Sequence, residues 1–99
     1  MTLSHVLNKL IAFSANDHQP HSHTLERGLV VLVVLHPNDK FTLRIARHGR
    51  IPPSTLEYQT CVRALPESHK PPTPVDPIAY QENGYHLLSA SWQLPEKLL

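Results

Sequence analysis

The sequence predicts a small α+β domain with the element order α-β-β-α-β-β, in which two helices pack on a mostly antiparallel four-stranded sheet. Two segments show the helical spacing of apolar residues, and two pairs of strand-like segments are each joined by a short turn. The chain has 99 residues, of which 40% are hydrophobic and 17% are charged, and this composition suits a single globular domain over residues 1–99. An antiparallel sheet covered by helices is the simplest way to bury these apolar faces.

The first predicted element is an amphipathic helix over residues 3–15. Thr2 or Ser4 can cap it by accepting a hydrogen bond from a free amide of the first turn. The polar segment 17–24 that follows is expected to be a loop. The helix has one apolar face, formed by Leu3, Val6, Leu7, Leu10, Ile11 and Ser14.

The next two segments predict an antiparallel hairpin. Residues 29–35 are all aliphatic and rich in valine, a composition typical of a strand. Residues 40–46 alternate between polar and apolar side chains, as a strand with one buried face does. The four residues between them, His-Pro-Asn-Asp, favour a tight turn.

The second half of the chain predicts a helix, a connector and another hairpin. Residues 55–65 have helical spacing and begin with a capping-box pattern, Ser54-x-x-Glu57, although a strand is the alternative for this segment. Five prolines in residues 66–77 indicate an extended connector. The dipeptide Asn83-Gly84 favours a type I′ turn, so residues 78–92 form the second hairpin. Residues 95–99 are expected to be a frayed tail.

Composition argues against membrane and nucleic-acid targeting of the whole chain. The formal net charge is +1, so no global field steers the protein toward polyanions or anionic lipids. The longest aliphatic run is far shorter than the ~20 residues that a membrane-spanning helix needs, and no signal peptide is apparent. The single cysteine, Cys61, cannot form an internal disulfide, which fits a reducing compartment. We therefore expect a cytoplasmic protein without a membrane partner.

No motif in the sequence indicates an enzyme or a family. The three glycines cannot build the glycine-rich loops that bind nucleotide phosphates. Cys61 lies on the apolar side of the second predicted helix, so we expect a buried, unreactive thiol. The sequence thus predicts no catalytic residues and no cofactor.

A histidine cluster is a weak candidate for metal binding. His18, His21 and His23 follow Asp17 within seven residues, and imidazole and carboxylate are ligands of Zn²⁺, Ni²⁺ and Cu²⁺. No further Cys or His follows at the spacing of a structural metal site. We therefore favour a solvated loop, with metal binding as the second alternative function.

A basic stretch over residues 40–50 supports the first alternative, a nucleic-acid-associated factor. Strand alternation places Lys40 and Arg44 on one face, and Arg47 and Arg50 at the exit of the hairpin. Such a row could contact phosphates. No aromatic side chain lies on that face to stack on bases, and a charged outer face is also common in strands that avoid aggregation.

The strand over residues 29–35 is apolar on both of its faces, so something must cover each of them. We slightly favour two helices packed on opposite sides of the sheet over cover by another chain. An uncovered aliphatic face is nevertheless typical of an interaction surface. Our leading functional hypothesis is a non-enzymatic protein that binds another protein or a second copy of itself. The residues assigned to this surface are Val31, Val33, Tyr80, Tyr85 and Trp92.

Overall fold

The structure is a computed structural model that describes residues 1–96, and it confirms the α+β class. The described residues form two helices and five strands, so the sequence prediction missed one strand. Two single 3₁₀ turns, Glu26–Gly28 and Glu67–His69, interrupt the connections. In chain order the elements are α1 (Leu3–Asp17), β1 (His21–Thr24), β2 (Val30–Leu35), β3 (Lys40–His48), α2 (Thr55–Ala64), β4 (Ile78–Glu82) and β5 (Tyr85–Gln93).

The strands form one antiparallel sheet with the spatial order β1-β2-β3-β5-β4. β3 is the central strand, and every one of its residues has a partner on β5. The β2–β3 hairpin sets Val31 opposite Ile45 and Val33 opposite Leu43. Because successive side chains of a strand point to opposite faces, this register decides which residues share a face.

Helix α1 is tied to the sheet at its C-terminal end by a buried serine. The Ser14 hydroxyl accepts a hydrogen bond from the Leu35 amide at 2.8 Å and donates one to the Gln19 carbonyl at 2.8 Å. At the other end, Thr2 Oγ1 accepts from the His5 amide at 3.1 Å, which confirms one of the two predicted caps. The helix extends two residues beyond its predicted end.

Helix α2 confirms the helical reading of its segment over the strand alternative. The predicted capping box is present: the Glu57 amide donates to Ser54 Oγ at 3.1 Å, and the Ser54 amide donates to Glu57 Oε1 at 2.9 Å. One turn later the buried Tyr58 hydroxyl donates to the Leu43 carbonyl at 2.8 Å, which fixes the helix on the central strand. Burial raises the pKa of the Tyr58 hydroxyl, so it stays a hydrogen-bond donor at neutral pH.

Strand β1 corrects the prediction of a loop over residues 17–24. His21 to Thr24 pair with Val33 to Val30 and extend the sheet at its edge. The sequence His-Ser-His-Thr contains no apolar residue, so its alternation carries no hydrophobic signal. Backbone hydrogen bonds stabilise the strand, and the Phe13 and His21 rings lie 5.5 Å apart.

The second hairpin has the predicted turn. Asn83 and Gly84 have φ angles of 52° and 82°, the positive values that a type I′ turn requires. The proline-rich connector before the hairpin packs along the helical side, where Gln59 Nε2 donates to the Val75 carbonyl at 3.1 Å. Of the expected frayed tail, residues 97–99 lie outside the described residues.

Both helices pack on the same face of the sheet, which corrects the arrangement that we favoured from the sequence. Side chains from α1 and α2 meet those of β2, β3 and β5 in a single core, in which Val31 and Val33 are 0% exposed. Glu57 of α2 contacts Arg47, which lies on this side of β3. The core-facing strand residues are Val31, Val33, Phe41, Leu43, Ile45, Leu88 and Trp92.

Candidate functional site

The face of the sheet opposite the core carries no helix of the described residues. We call it the open face, and its apolar side chains are Val30, Leu32, Val34, Ala46, Ile78, Tyr80 and Leu87. None of the seven belongs to the core cluster or packs against it. Val34 and Leu87 are each 8% exposed. The open face is therefore a second apolar surface, separate from the core.

The register aligns the apolar side chains of the open face into a row. Val30 lies opposite Ala46, Ala46 opposite Leu87, and Leu87 opposite Tyr80. Neighbouring strands are ~4.8 Å apart, so this row crosses about 14 Å of the sheet. The adjacent row consists of Leu32, Arg44, Ser89 and Ile78, and the Ile78 side chain is 70% exposed. The apolar surface therefore crosses four strands in the first row and is interrupted by Arg44 and Ser89 in the second.

One end of the open face is polar and internally satisfied. The Thr42 hydroxyl is hydrogen-bonded to Ser91 Oγ at 2.7 Å and to His36 Nε2 at 2.9 Å. Both hydroxyl groups lie on the same side of the sheet as Val34. These polar groups are thus hydrogen-bonded to one another. The candidate contact surface on this face is therefore the apolar row.

Arg44 lies at the centre of the open face. Its Nε is buried and has no hydrogen-bond partner among the described residues, and its guanidinium carbon lies 6.0 Å from the centre of the Tyr80 ring. Within residues 1–96, no carboxylate lies within 4.0 Å of Arg44. A cation among apolar groups is stabilised by a ring face only weakly, and a paired carboxylate stabilises it more.

Two of the predicted partner-binding residues, Val31 and Val33, lie in the core instead. Both are fully buried against the helices and cannot contact a partner in this conformation. The sequence did not distinguish the two faces of this strand, because β2 is apolar at every position. Its outward residues are Val30, Leu32 and Val34.

Of the three predicted aromatic anchors, Trp92 lies in the core, whereas Tyr80 and Tyr85 lie on the open face. Trp92 is part of the core, and its Nε1 donates to the His69 carbonyl at 3.0 Å. Tyr80 ends the apolar row. Tyr85 lies at the margin of the open face, with its ring 5.0 Å from that of His48.

The basic stretch over residues 40–50 does not form one surface, because Arg47 is buried on the opposite side of β3 from Arg44. Arg47 Nη2 lies 2.7 Å from Glu57 Oε2, and its Nε donates to the Arg27 carbonyl at 3.1 Å. The ion pair raises the pKa of Arg47 and lowers that of Glu57 to about 2.

Two other cations of that stretch are far apart. Lys40 and Arg50 are exposed near opposite ends of β3, which at ~3.3 Å per residue puts them about 30 Å from each other. Only Lys40 and Arg44 share the open face, as the alternation predicted. The four cations of the alternative nucleic-acid hypothesis therefore do not lie on one continuous surface.

The histidine cluster does not converge on a metal site. His18 Nδ1 is hydrogen-bonded to the Leu35 carbonyl at 2.9 Å, whereas His21 Nε2 is paired with the Asp17 carboxylate at 2.7 Å. His23 is exposed on the edge strand. In the part of the chain that the structure describes, no three His, Cys, Asp or Glu side chains are placed to hold a metal ion.

Cys61 is a buried thiol, as predicted. Its side chain is 1% exposed, and burial raises its pKa to about 11. The nucleophilic thiolate is therefore strongly disfavoured at neutral pH. Cys61 contributes to one wall of a cleft of about 750 Å³ between the first turns of the two helices, which the sequence did not predict. The carboxylate of Glu57 also lines this cleft and is paired with Arg47.

No helix in residues 1–96 has both the length and the apolar character needed to span a bilayer. Comparisons of the chain with protein-family models, with curated proteins and with solved structures found no match.

Proposed function

We propose that this protein binds another protein through the open face and catalyses no reaction. The observation that carries the proposal is the apolar row of the open face, which neither helix covers. A contiguous exposed apolar surface on a small domain is typical of an interaction site.

The composition of strand β2 supports this proposal. A strand with one face in water tolerates polar residues at alternate positions, but β2 reads Val-Val-Leu-Val-Val-Leu. Val30 and Leu32 on the open face are only partly buried, so a partner would remove further apolar surface from water. Tyr80 and Tyr85 supply amphipathic rings of the type enriched at interfaces.

The position of Arg44 favours a different protein over a second copy of this chain. Arg44 is the middle residue of the central strand, so it lies near the centre of the open face. Two open faces stacked about a two-fold axis would bring two Arg44 side chains together. A like-charge contact inside an apolar interface is unfavourable.

The state of Cys61 supports both a cytoplasmic location and the absence of catalysis. The thiol is free and buried, which suits a reducing compartment. Its raised pKa argues against a role as a nucleophile. We include the cytoplasm in the proposal for this reason.

Site-specific photo-crosslinking in the cells that produce the protein tests the proposal. A benzophenone amino acid in place of Leu32 reports on the open face, and one in place of Phe13, which is 52% exposed on α1, reports on the helical side. We expect a discrete adduct from position 32 only. The adduct should disappear with an added Val30→Asp substitution and persist with Asn8→Asp, a control on the exposed side of α1.

The mass of the adduct distinguishes the two kinds of partner. An adduct of twice the 11.2 kDa chain mass would show a second copy of this protein on the open face and contradict the choice of a different partner. Equal adducts from positions 32 and 13, or none from position 32, would contradict the proposed function.

A further inference from the structure

We propose that the open face receives an amphipathic α-helix of the partner protein, and that this helix places a carboxylate against Arg44 between its aliphatic contacts. This inference rests on the proposed function, since it specifies the partner of the same surface. It assigns Arg44 a role in choosing the partner.

The surroundings of Arg44 require a specific counterpart. In the register of the sheet Arg44 lies between Leu32 on β2 and Ser89 on β5, and Ile78 follows on β4. Its Nε has already lost contact with water without gaining a hydrogen bond. A partner that covered this region with apolar side chains alone would bury the rest of the guanidinium at a large desolvation cost.

No described acidic residue is placed to neutralise Arg44 from within the chain. Arg47 is paired with Glu57, and Lys70 is paired with Glu67. By register, the acidic residue of the open face among residues 1–96 is Glu82, four positions along β4 from Ile78. Four positions correspond to about 13 Å, beyond direct contact. The counter-charge of Arg44 is therefore expected from the partner.

A carboxylate is the group that fits a guanidinium best. The planar guanidinium donates two parallel hydrogen bonds to the two oxygens of one carboxylate, and such charge-assisted bonds are the strongest in proteins. With the apolar row beside it, Arg44 therefore selects a segment that combines an acidic side chain with aliphatic ones.

The shape of the surface favours a helix over an extended peptide. Extended peptides bind at the edge of a sheet, where free backbone groups are available, whereas the faces of sheets are covered by helices or by other sheets. The opposite face of this same sheet is covered by α1 and α2. The apolar row is about 14 Å long, and a helix of ~10 Å diameter can cover it with side chains at positions i, i+3, i+4 and i+7.

Selection from a displayed library of helical peptides tests the inference. The library fixes an aliphatic stripe at i, i+3, i+4 and i+7 and randomises the flanking positions, and the full chain is the target. We expect enrichment of Asp or Glu at one flanking position. Peptides selected on the wild type should bind the Arg44→Gln protein at least about tenfold more weakly, the effect of losing one charge-assisted hydrogen bond.

A charge reversal makes the test specific for Arg44. Selection on Arg44→Glu should replace the acidic preference by Lys or Arg at the same position. The matched control Arg50→Glu makes the same charge change at an exposed position outside the sheet and should leave the preference unchanged. Circular dichroism of each variant checks that the fold is retained, and the milder Arg44→Gln variant serves if the reversal unfolds the protein.

The remaining outcomes separate this inference from the proposed function. Peptides that lose binding to Leu32→Asp but show no acidic preference would overturn the role of Arg44 and leave the proposed function standing. If no selected peptide is sensitive to Leu32→Asp, the proposed function fails as well. Binding of a single-stranded DNA oligonucleotide that is lost in Arg44→Glu and retained in Leu32→Asp would assign Arg44 to phosphate and overturn the inference.

Discussion

Replacement of Glu57 by glutamine will make the stability of the fold less dependent on pH in the acidic range. Glu57 joins α2 to β3: its Oε2 lies 2.7 Å from Arg47 Nη2 on β3, and its Oε1 accepts from the amide of Ser54, the N-cap of α2, at 2.9 Å. The variant Glu57→Gln keeps an amide oxygen for the helix cap but removes the negative charge that faces Arg47. It therefore isolates the ion pair from the cap.

The shifted pKa of Glu57 sets the magnitude and the sign of this effect. The hydrogen bond from Arg47 is the largest cause that lowers this pKa, from the usual 4.5 to about 2. Because the pKa of Glu57 is lower in the folded state than in the unfolded state, its carboxylate stabilises the fold fully above pH ~4.5. This stabilisation is lost as the pH falls toward ~2. At ~1.4 kcal/mol per pKa unit the shift corresponds to at most about 3.5 kcal/mol. Because the Glu57 side chain is 26% exposed, solvent screening reduces this to an expected value of about 1–2 kcal/mol.

Urea unfolding followed by circular dichroism across the acidic range measures this contribution. The wild type should lose about 1–2 kcal/mol more stability than Glu57→Gln between pH ~5 and pH ~2. Glu67→Gln is the matched control, because Glu67 also pairs with a cation, Lys70, but is 89% exposed. The reasoning is refuted if Glu57→Gln and the wild type show the same pH profile, or if Glu67→Gln has an equal effect.

Three further variants and reactions test the placement of buried and open-face groups. Ser14→Ala should lower the free energy of unfolding by about 1–3 kcal/mol in thermal denaturation, because the Leu35 amide loses its partner; an unchanged melting temperature would contradict this. Leu32→Asp should leave the circular dichroism spectrum native, whereas Val31→Asp should unfold the chain; equal behaviour of the two would show that the assignment of the two faces is wrong. Cys61 should react with a thiol reagent far more slowly in the native protein than in urea, and fast native labelling would exclude a buried thiol.

Local signals in the sequence were sufficient for most of the fold. The dipeptide Asn83-Gly84 is typical of type I′ turns, and both residues have the positive φ angles that this turn requires. The capping box is likewise a local signal, because Ser54 and Glu57 are three positions apart. Strand β1 was not predictable in this way. Its four polar residues form a strand because the backbone groups of β2 pair with theirs. This pairing depends on tertiary structure and leaves no local signal in the sequence.

The sequence identified β2 as apolar on both faces, but it assigned Val31 and Val33, which lie in the core, to the binding surface. Alternation identifies the inward face of a strand only where one face is polar, as in β3, and β2 has no polar residue. Arg44 and Arg47 are three positions apart on β3, so the alternation of that strand places them on opposite faces. The burial of Arg47 became visible only when the structure placed Glu57 beside it. Which residues of β2 point toward the core depends on where α1 packs. This is a long-range contact that local sequence patterns do not reveal.

The open face follows from the dimensions of the elements. Five strands at ~4.8 Å spacing make a sheet about 19 Å wide, and two helices of ~10 Å diameter side by side cover about 20 Å. Both helices of the described residues are therefore needed to cover one face of the sheet, and none remains to cover the other. An apolar second face then either lowers the solubility of the protein without any benefit or is a surface that a partner covers. The central Arg44 favours the second explanation, because its buried Nε has no hydrogen-bond partner within residues 1–96 and a carboxylate of a partner would supply one.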